Sequence, residues 1–203
     1  MLIDYQKSLI AHSILIMILT GWTWGHSPVE VVHQAPEQIV QAVGETRRVS
    51  IKSSGEQASG GGSTESSISS NGRYVAFSSD ATNLIPGDTN GSSDIFVHDT
   101  EMNITICVSI ASNGAQANSL SYRPSISSDG RYVTFQSYAT NLTSNDINGT
   151  YDVFVRDMQT GLTTCVSVDL NGVPANEQSV NPAISADGRY IAFEIACKQS
   201  DSR

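Results

Sequence analysis

The chain has 203 residues, of which 20 are acidic and 11 basic, for a formal net charge of −9. An acidic chain without a basic cluster offers nucleic acid phosphates only repulsion, so that class of partner is excluded. Three cysteines without a Cys-x-x-Cys spacing exclude both a zinc knuckle and a complete disulfide framework.

In chain order, the first feature is an apolar run over 9–24, preceded by Lys7 and followed by polar, proline-containing sequence. It is shorter than the roughly 20 residues that span a bilayer and is interrupted by His12. Residues 1–24 are expected to be a signal peptide or a membrane anchor, which places the remainder in the periplasm or outside the cell. Residues 25–45, without periodicity, read as a linker.

From residue 46 a repeat takes over. Asn71-Gly-Arg-Tyr-Val-Ala-Phe77 returns as Asp129-Gly-Arg-Tyr-Val-Thr-Phe135 and as Asp187-Gly-Arg-Tyr-Ile-Ala-Phe193, each start 58 residues after the last. A period of this length marks supersecondary units that bury their apolar faces only against their neighbours. The leading segment 46–51 matches 105–110 and 163–168 and is expected to be the last strand of a unit whose earlier strands are absent. The first complete unit is expected to hold strands near 67–69, 73–78, 94–98 and 104–110. The second repeats them near 125–127, 131–137, 152–156 and 162–168. Asn71-Gly72, Asp129-Gly130 and Asp187-Gly188 are expected to be two-residue hairpin turns with positive φ at both positions. Asn103 and Gly161 mark a second left-handed turn.

The strand 74–77 is apolar on both faces, so each sheet must be covered on both sides. Radially stacked four-stranded sheets satisfy this as a β-propeller; a β-solenoid is the alternative, disfavoured by the long period and the hairpin turns. After Phe193 the repeat breaks, and 196–203 reads as an irregular tail. The fold expected is all-β: an incomplete β-propeller over 46–195, with two complete antiparallel four-stranded blades and partial flanking blades. The break reads as a truncated or frame-shifted remnant of a longer gene.

The run Pro124-Ser-Ile-Ser-Ser-Asp-Gly-Arg-Tyr-Val-Thr-Phe135, followed by Asp152-Val-Phe-Val-Arg-Asp157, Thr160-Gly161 and Val166-Ser-Val168, resembles the TolB-like β-propeller repeat. The resemblance implies an exported propeller segment that serves as a protein-binding or assembly module. The alternative is the propeller fragment of a secreted peptidase or glycan-active enzyme whose catalytic domain is missing. Exposed blade faces imply a protein partner or self-association.

The longest connections, 80–94 and 138–152, carry the candidate metal ligands. Asp88, Asn90 and Asp94 recur as Asp146, Asn148 and Asp152, hard oxygens beside a glycine bend, in a spacing that resembles the opening half of an EF-hand loop. Calcium is the ion this chemistry suits. The same residue types form turns without any ion, and that alternative stays open. No nucleophile elbow, His-Glu-x-x-His or phosphate loop is present, so no enzymatic activity is expected. His98, the one histidine inside the repeats, is expected at a solvated strand end. Cys107 and Cys165, 58 residues apart, are expected to be small buried or half-buried hydrophobes.

Overall fold

The structure is a computed structural model that describes residues 2–3 and 46–196. The apolar run 9–24, the linker 25–45 and the tail from Cys197 onward lie outside the described residues. The chain divides into two compact units, Met1–Arg47 and Arg48–Arg203. In the first, β1 (Leu2–Ile3) pairs antiparallel with β2 (Thr46–Arg47). The expected strand over 46–51 is therefore only two residues long and has a partner, and Ile51 makes a separate bridge to Gln57.

In the second unit every described regular element is a strand. β3 (Ser63–Ile68), β4 (Tyr74–Ser79), β5 (Asp94–Asp99) and β6 (Ile104–Cys107) form one antiparallel sheet in sequential order. β7 (Ser121–Ile126), β8 (Tyr132–Ser137), β9 (Asp152–Asp157) and β10 (Leu162–Cys165) form a second in the same order. β11 (Ser179–Ile184) and β12 (Ile191–Ile195) make a third sheet of two strands. These meanders are the blades of an incomplete β-propeller, two of them complete.

The first strand of each blade begins earlier than the sequence suggested, because a β-bulge interrupts its register between Thr64 and Ser67, Tyr122 and Ser125, and Val180 and Ala183. Glu65, Arg123 and Asn181 adopt positive φ there, at 49°, 57° and 55°. The last strand of each complete blade ends earlier than expected. Beyond Cys107 one more bond follows the same register, Val108 N–H donating to Ile95 O at 2.7 Å, before the chain turns through an Ile110–Gln116 bridge toward the next blade.

The glycine turns also differ from the two-residue form. Only Gly72, Gly130 and Gly188 have positive φ; Asn71, Asp129 and Asp187 do not. A serine supplies the missing order. Ser127 Oγ donates to Asp129 Oδ1 at 2.6 Å, Arg131 N–H donates to the same oxygen at 2.9 Å, and Tyr132 N–H donates to Ser127 Oγ at 2.9 Å. Equivalent bonds hold the other two turns. A serine hydroxyl and a carboxylate or amide oxygen thus replace the second left-handed residue. Asn103, by contrast, has the expected left-handed φ of 55°.

The core lies between sheets. Ala76, Ile95 and Val97 of the first blade pack with Val133, Phe135 and Phe154 of the second, all buried. On the opposite face of the first blade, Phe77 and Phe96 stack with ring centroids 5.9 Å apart and are covered by Leu84 and Ala58. Polar links repeat with the period: Ser70 N–H donates to Ser128 O at 3.1 Å, and Ser128 N–H to Ala186 O at 2.9 Å. Tyr74 lies against Gly130 and Tyr132 against Gly188, so closely that a Cβ on either glycine would overlap the ring. Glycine is required there for this close approach as well as for its φ. Arg73 and Arg131 lie over these tyrosine rings and pair with Asp99 and Asp157, each at 2.8 Å.

Candidate functional site

The long connections between β4 and β5 and between β8 and β9 hold the six expected ligands. In the first, Asn90 Nδ2 donates to Asp94 Oδ2 at 2.7 Å and to Ala117 O at 3.0 Å, while its Oδ1 accepts Ser92 N–H at 2.9 Å. Ser109 Oγ donates to Asp94 Oδ1 at 2.5 Å and accepts Ile95 N–H at 3.0 Å. The second repeats this with Asn148, Asp152, Thr150, Ala175 and Ser167. The asparagine and the second aspartate of each loop are thus brought together, and they tie the loop to the chain crossing between blades. Burial pushes the Asp94 carboxyl up to about 6, against the pull of Ser109 and Asn90, and raises Asp152 in the same way.

The first aspartates differ. Asp88 is half-buried, with its carboxyl raised by burial. Asp146 is 3% exposed, and burial together with the charge of Asp152 raises it to about 6. Among the described residues no group of three His, Cys, Asp or Glu side chains is placed to hold a metal ion, so any cation here must also take hydroxyl and carbonyl oxygens. Ser109 and Ser167, which cap the buried carboxylates, were visible in the sequence only as part of the recurring Val-Ser pair.

His98 is not at a solvated strand end: it is buried inside the first blade, where Nδ1 lies 2.8 Å from Thr105 Oγ1. The buried middle strand, rather than the strand's terminus in sequence, determines its surroundings. Cys107 is half-buried and Cys165 buried, both free, and burial pushes their thiols up to about 12 and about 11. They are small hydrophobes, as expected. A cleft of about 510 Å³ between the first two blades is lined by Met102, Ile104, Ile106 and Met158. Asp99 and Arg131 on its wall are committed to Arg73 and Asp157.

The two ends of the stack are unlike its interior. On the trailing face, Tyr190 is 65% exposed although Tyr74 and Tyr132 at the same repeat position pack on glycines. Ala192 and Glu194 beside it are exposed, whereas Ala76, Ser78, Thr134 and Gln136 at those positions are buried. On the leading face, Ile68 is 50% exposed against 7% for Ile126. Among the described residues, a Cβ on Gly72 would meet nothing nearer than Ile68 Cδ1 at 4.0 Å, and none places a ring where Tyr74 lies at Gly130.

No protein-family model and no curated protein matches the chain. Among solved structures it is similar to TolB from Acinetobacter baumannii, at 17% identity and a TM-score of 0.42, over 71% of this chain and 28% of that one. A putative TolB from Agrobacterium tumefaciens matches at 14% identity and a TM-score of 0.45, over 69% of this chain and 40% of that one. Acylaminoacyl peptidase from Pyrococcus horikoshii matches at 15% identity and a TM-score of 0.44, over 70% and 19%. The chain thus spans well under half the length of the structures it matches. The 58-residue repeat and the order of strands in each sheet, rather than these scores, make the chain a partial β-propeller whose blade sequence resembles the TolB-like repeat.

Proposed function

We propose that the chain is an exported, non-catalytic assembly module in which the trailing face of one copy docks on the leading face of a second. The observation that carries this reading is the exposed Tyr190, a residue whose two repeat equivalents are both covered by the next blade. Among the described residues, the outer half of the leading face is covered by Ala58 and Leu84, while no described residue covers its inner half at Ile68 and Gly72. The described part of the trailing blade is its two inner strands, which match the inner half of the leading face. Such a contact is heterologous, joining unlike faces, and gives rings or open filaments. Export rests on the apolar run behind Lys7, and the absence of a catalytic role on the lack of any recognisable motif.

One residue opposes the contact. Gln136 Oε1 accepts Asn181 N–H at 2.9 Å across the second blade interface, and Glu194 occupies the position of Gln136. In a second copy it would face the bulge at Glu65, another carboxylate. Sedimentation velocity on the full chain tests the proposal. Mass should rise with concentration in the range up to about 100 μM, Tyr190→Ala should weaken association at least about tenfold, and Glu194→Gln should strengthen it. A monomer throughout that range, or association indifferent to Tyr190, would overturn it.

A further inference from the structure

Four of the five buried side-chain oxygens that lack a hydrogen-bond partner among the described residues fall in one loop: Thr143 Oγ1, both carboxylate oxygens of Asp146, and Thr150 Oγ1. The fifth, Ser179 Oγ, has a simple cause. Its equivalent Ser121 bonds to Ser137 Oγ at 3.0 Å, and the residue in the place of Ser137 is Ile195. No such substitution explains Asp146. The Asn148 backbone N–H is the one donor that acts on the Asp146 carboxylate, and it does not reach either oxygen with good hydrogen-bond geometry; a carboxylate so buried and so weakly served calls for a positive partner.

The first loop shows what has changed. There Gln116 Nε2 donates to Gly87 O at 2.8 Å and Gln116 Oε1 accepts Thr89 N–H at 3.2 Å, so a side-chain amide braces the turn beside Asp88. In the second loop that position is Pro174, which has no amide to offer. Thr143 and Thr150 stand where the first loop has Ile85 and Ser92, so two further hydroxyl-bearing positions differ in size or chemistry. Asp146 is also more deeply buried than Asp88.

We propose that the loop between β8 and β9 holds a calcium ion on the Asp146 carboxylate and the hydroxyl oxygens of Thr143 and Thr150, with Asp152 supplying a second negative charge and backbone carbonyls of the loop the remaining oxygens. The donors are all hard oxygens, which excludes metals that seek sulfur or imidazole. An irregular loop suits the flexible, many-ligand shell of calcium better than the strict octahedron of magnesium. The site belongs to the second loop alone, and it does not depend on self-assembly.

Calorimetric titration and thermal melting of the full chain, first treated with chelator, test this. Calcium should bind at one site per chain with a Kd of about 0.1–1 mM, the range of extracellular calcium modules. About 10 mM calcium should raise Tm by roughly 3–10 °C, and the same magnesium concentration by less. Asp146→Asn should abolish both effects and Asp88→Asn should preserve them. If Asp146→Asn does not fold, Thr150→Val should weaken calcium binding at least about threefold. No heat and no Tm shift in the unaltered chain would overturn the proposal, as would a calcium response that survives Asp146→Asn or is lost equally in Asp88→Asn.

Discussion

Asp94 is a buried acid held by two donors that do not fully offset its loss of water. Its 1% exposure and its neighbours Ser109 and Asn90 leave the carboxyl at about 6, above the ordinary 3.8. A folded-state value above the unfolded one means that the ionised group opposes folding. Its cost is present above about pH 6 and disappears as pH falls toward 4. Asp157 acts in the opposite sense: Arg131 holds its carboxyl well below the usual range, so the stability it contributes is lost as pH falls below about 4. Asp99 is also lowered: burial pulls it up, but the Arg73 hydrogen bond and the Met102 and Glu101 amides outweigh this. Urea unfolding in the presence of chelator should therefore show stability rising from pH 7.5 to about 5 and falling below about 4. Asp94→Asn should flatten the upper part of that curve by about 2 kcal/mol; stability that rises steadily from pH 5 to 7.5 would contradict the assignment. The sequence placed six oxygen-bearing side chains at fixed spacing in the two loops, and the structure joins two pairs of them, Asn90 with Asp94 and Asn148 with Asp152. It did not show that Asn90 and Asn148 turn their amide nitrogens to the aspartates, since that depends on backbone donors and on serines 15 residues further along the chain.

Strands and turns were legible in proportion to their chemistry. The middle strands, rich in aromatic and β-branched residues, fell within one or two residues of expectation because their burial on both faces leaves a continuous apolar signal. The first strand of each blade was hidden. Its sequence, such as Ser63–Ile68, is mostly small and polar, and the bulge breaks the alternation that would announce a strand. That bulge is also a joint between blades: the Arg123 amide donates to Glu65 Oε2 at 2.9 Å, and the Asn181 amide to Gln136 Oε1 at 2.9 Å. Arg123 and Asn181 thus aim their N–H groups at the preceding blade. Removing the acceptor in Gln136→Ala should leave the Asn181 amide without its partner and lower stability by about 1–3 kcal/mol, read by urea unfolding. A loss below about 0.5 kcal/mol would mean that water serves that amide as well as glutamine does.

At the scale of the molecule, the period alone implied stacked sheets, because apolar residues on both faces of a strand demand cover from both sides. Which sheet lies on which was not legible, since it depends on the approach of one ring to one glycine 56 residues further along the chain, between Tyr74 and Gly130. The same contact, which no described residue completes at Tyr190 or at Gly72, is the one that the proposed self-association would use. A double-mutant cycle on Tyr74 and Gly130, followed by urea unfolding, tests the stacking most directly. Gly130→Ala should cost about 2–4 kcal/mol in the unaltered chain, from its positive φ and from overlap with the ring. In a Tyr74→Ala background that cost should fall to about 1–2 kcal/mol, because only the φ penalty remains, giving a coupling of at least about 1 kcal/mol. Strictly additive effects would show that the ring does not lie on that glycine and that the sheets do not stack in this order.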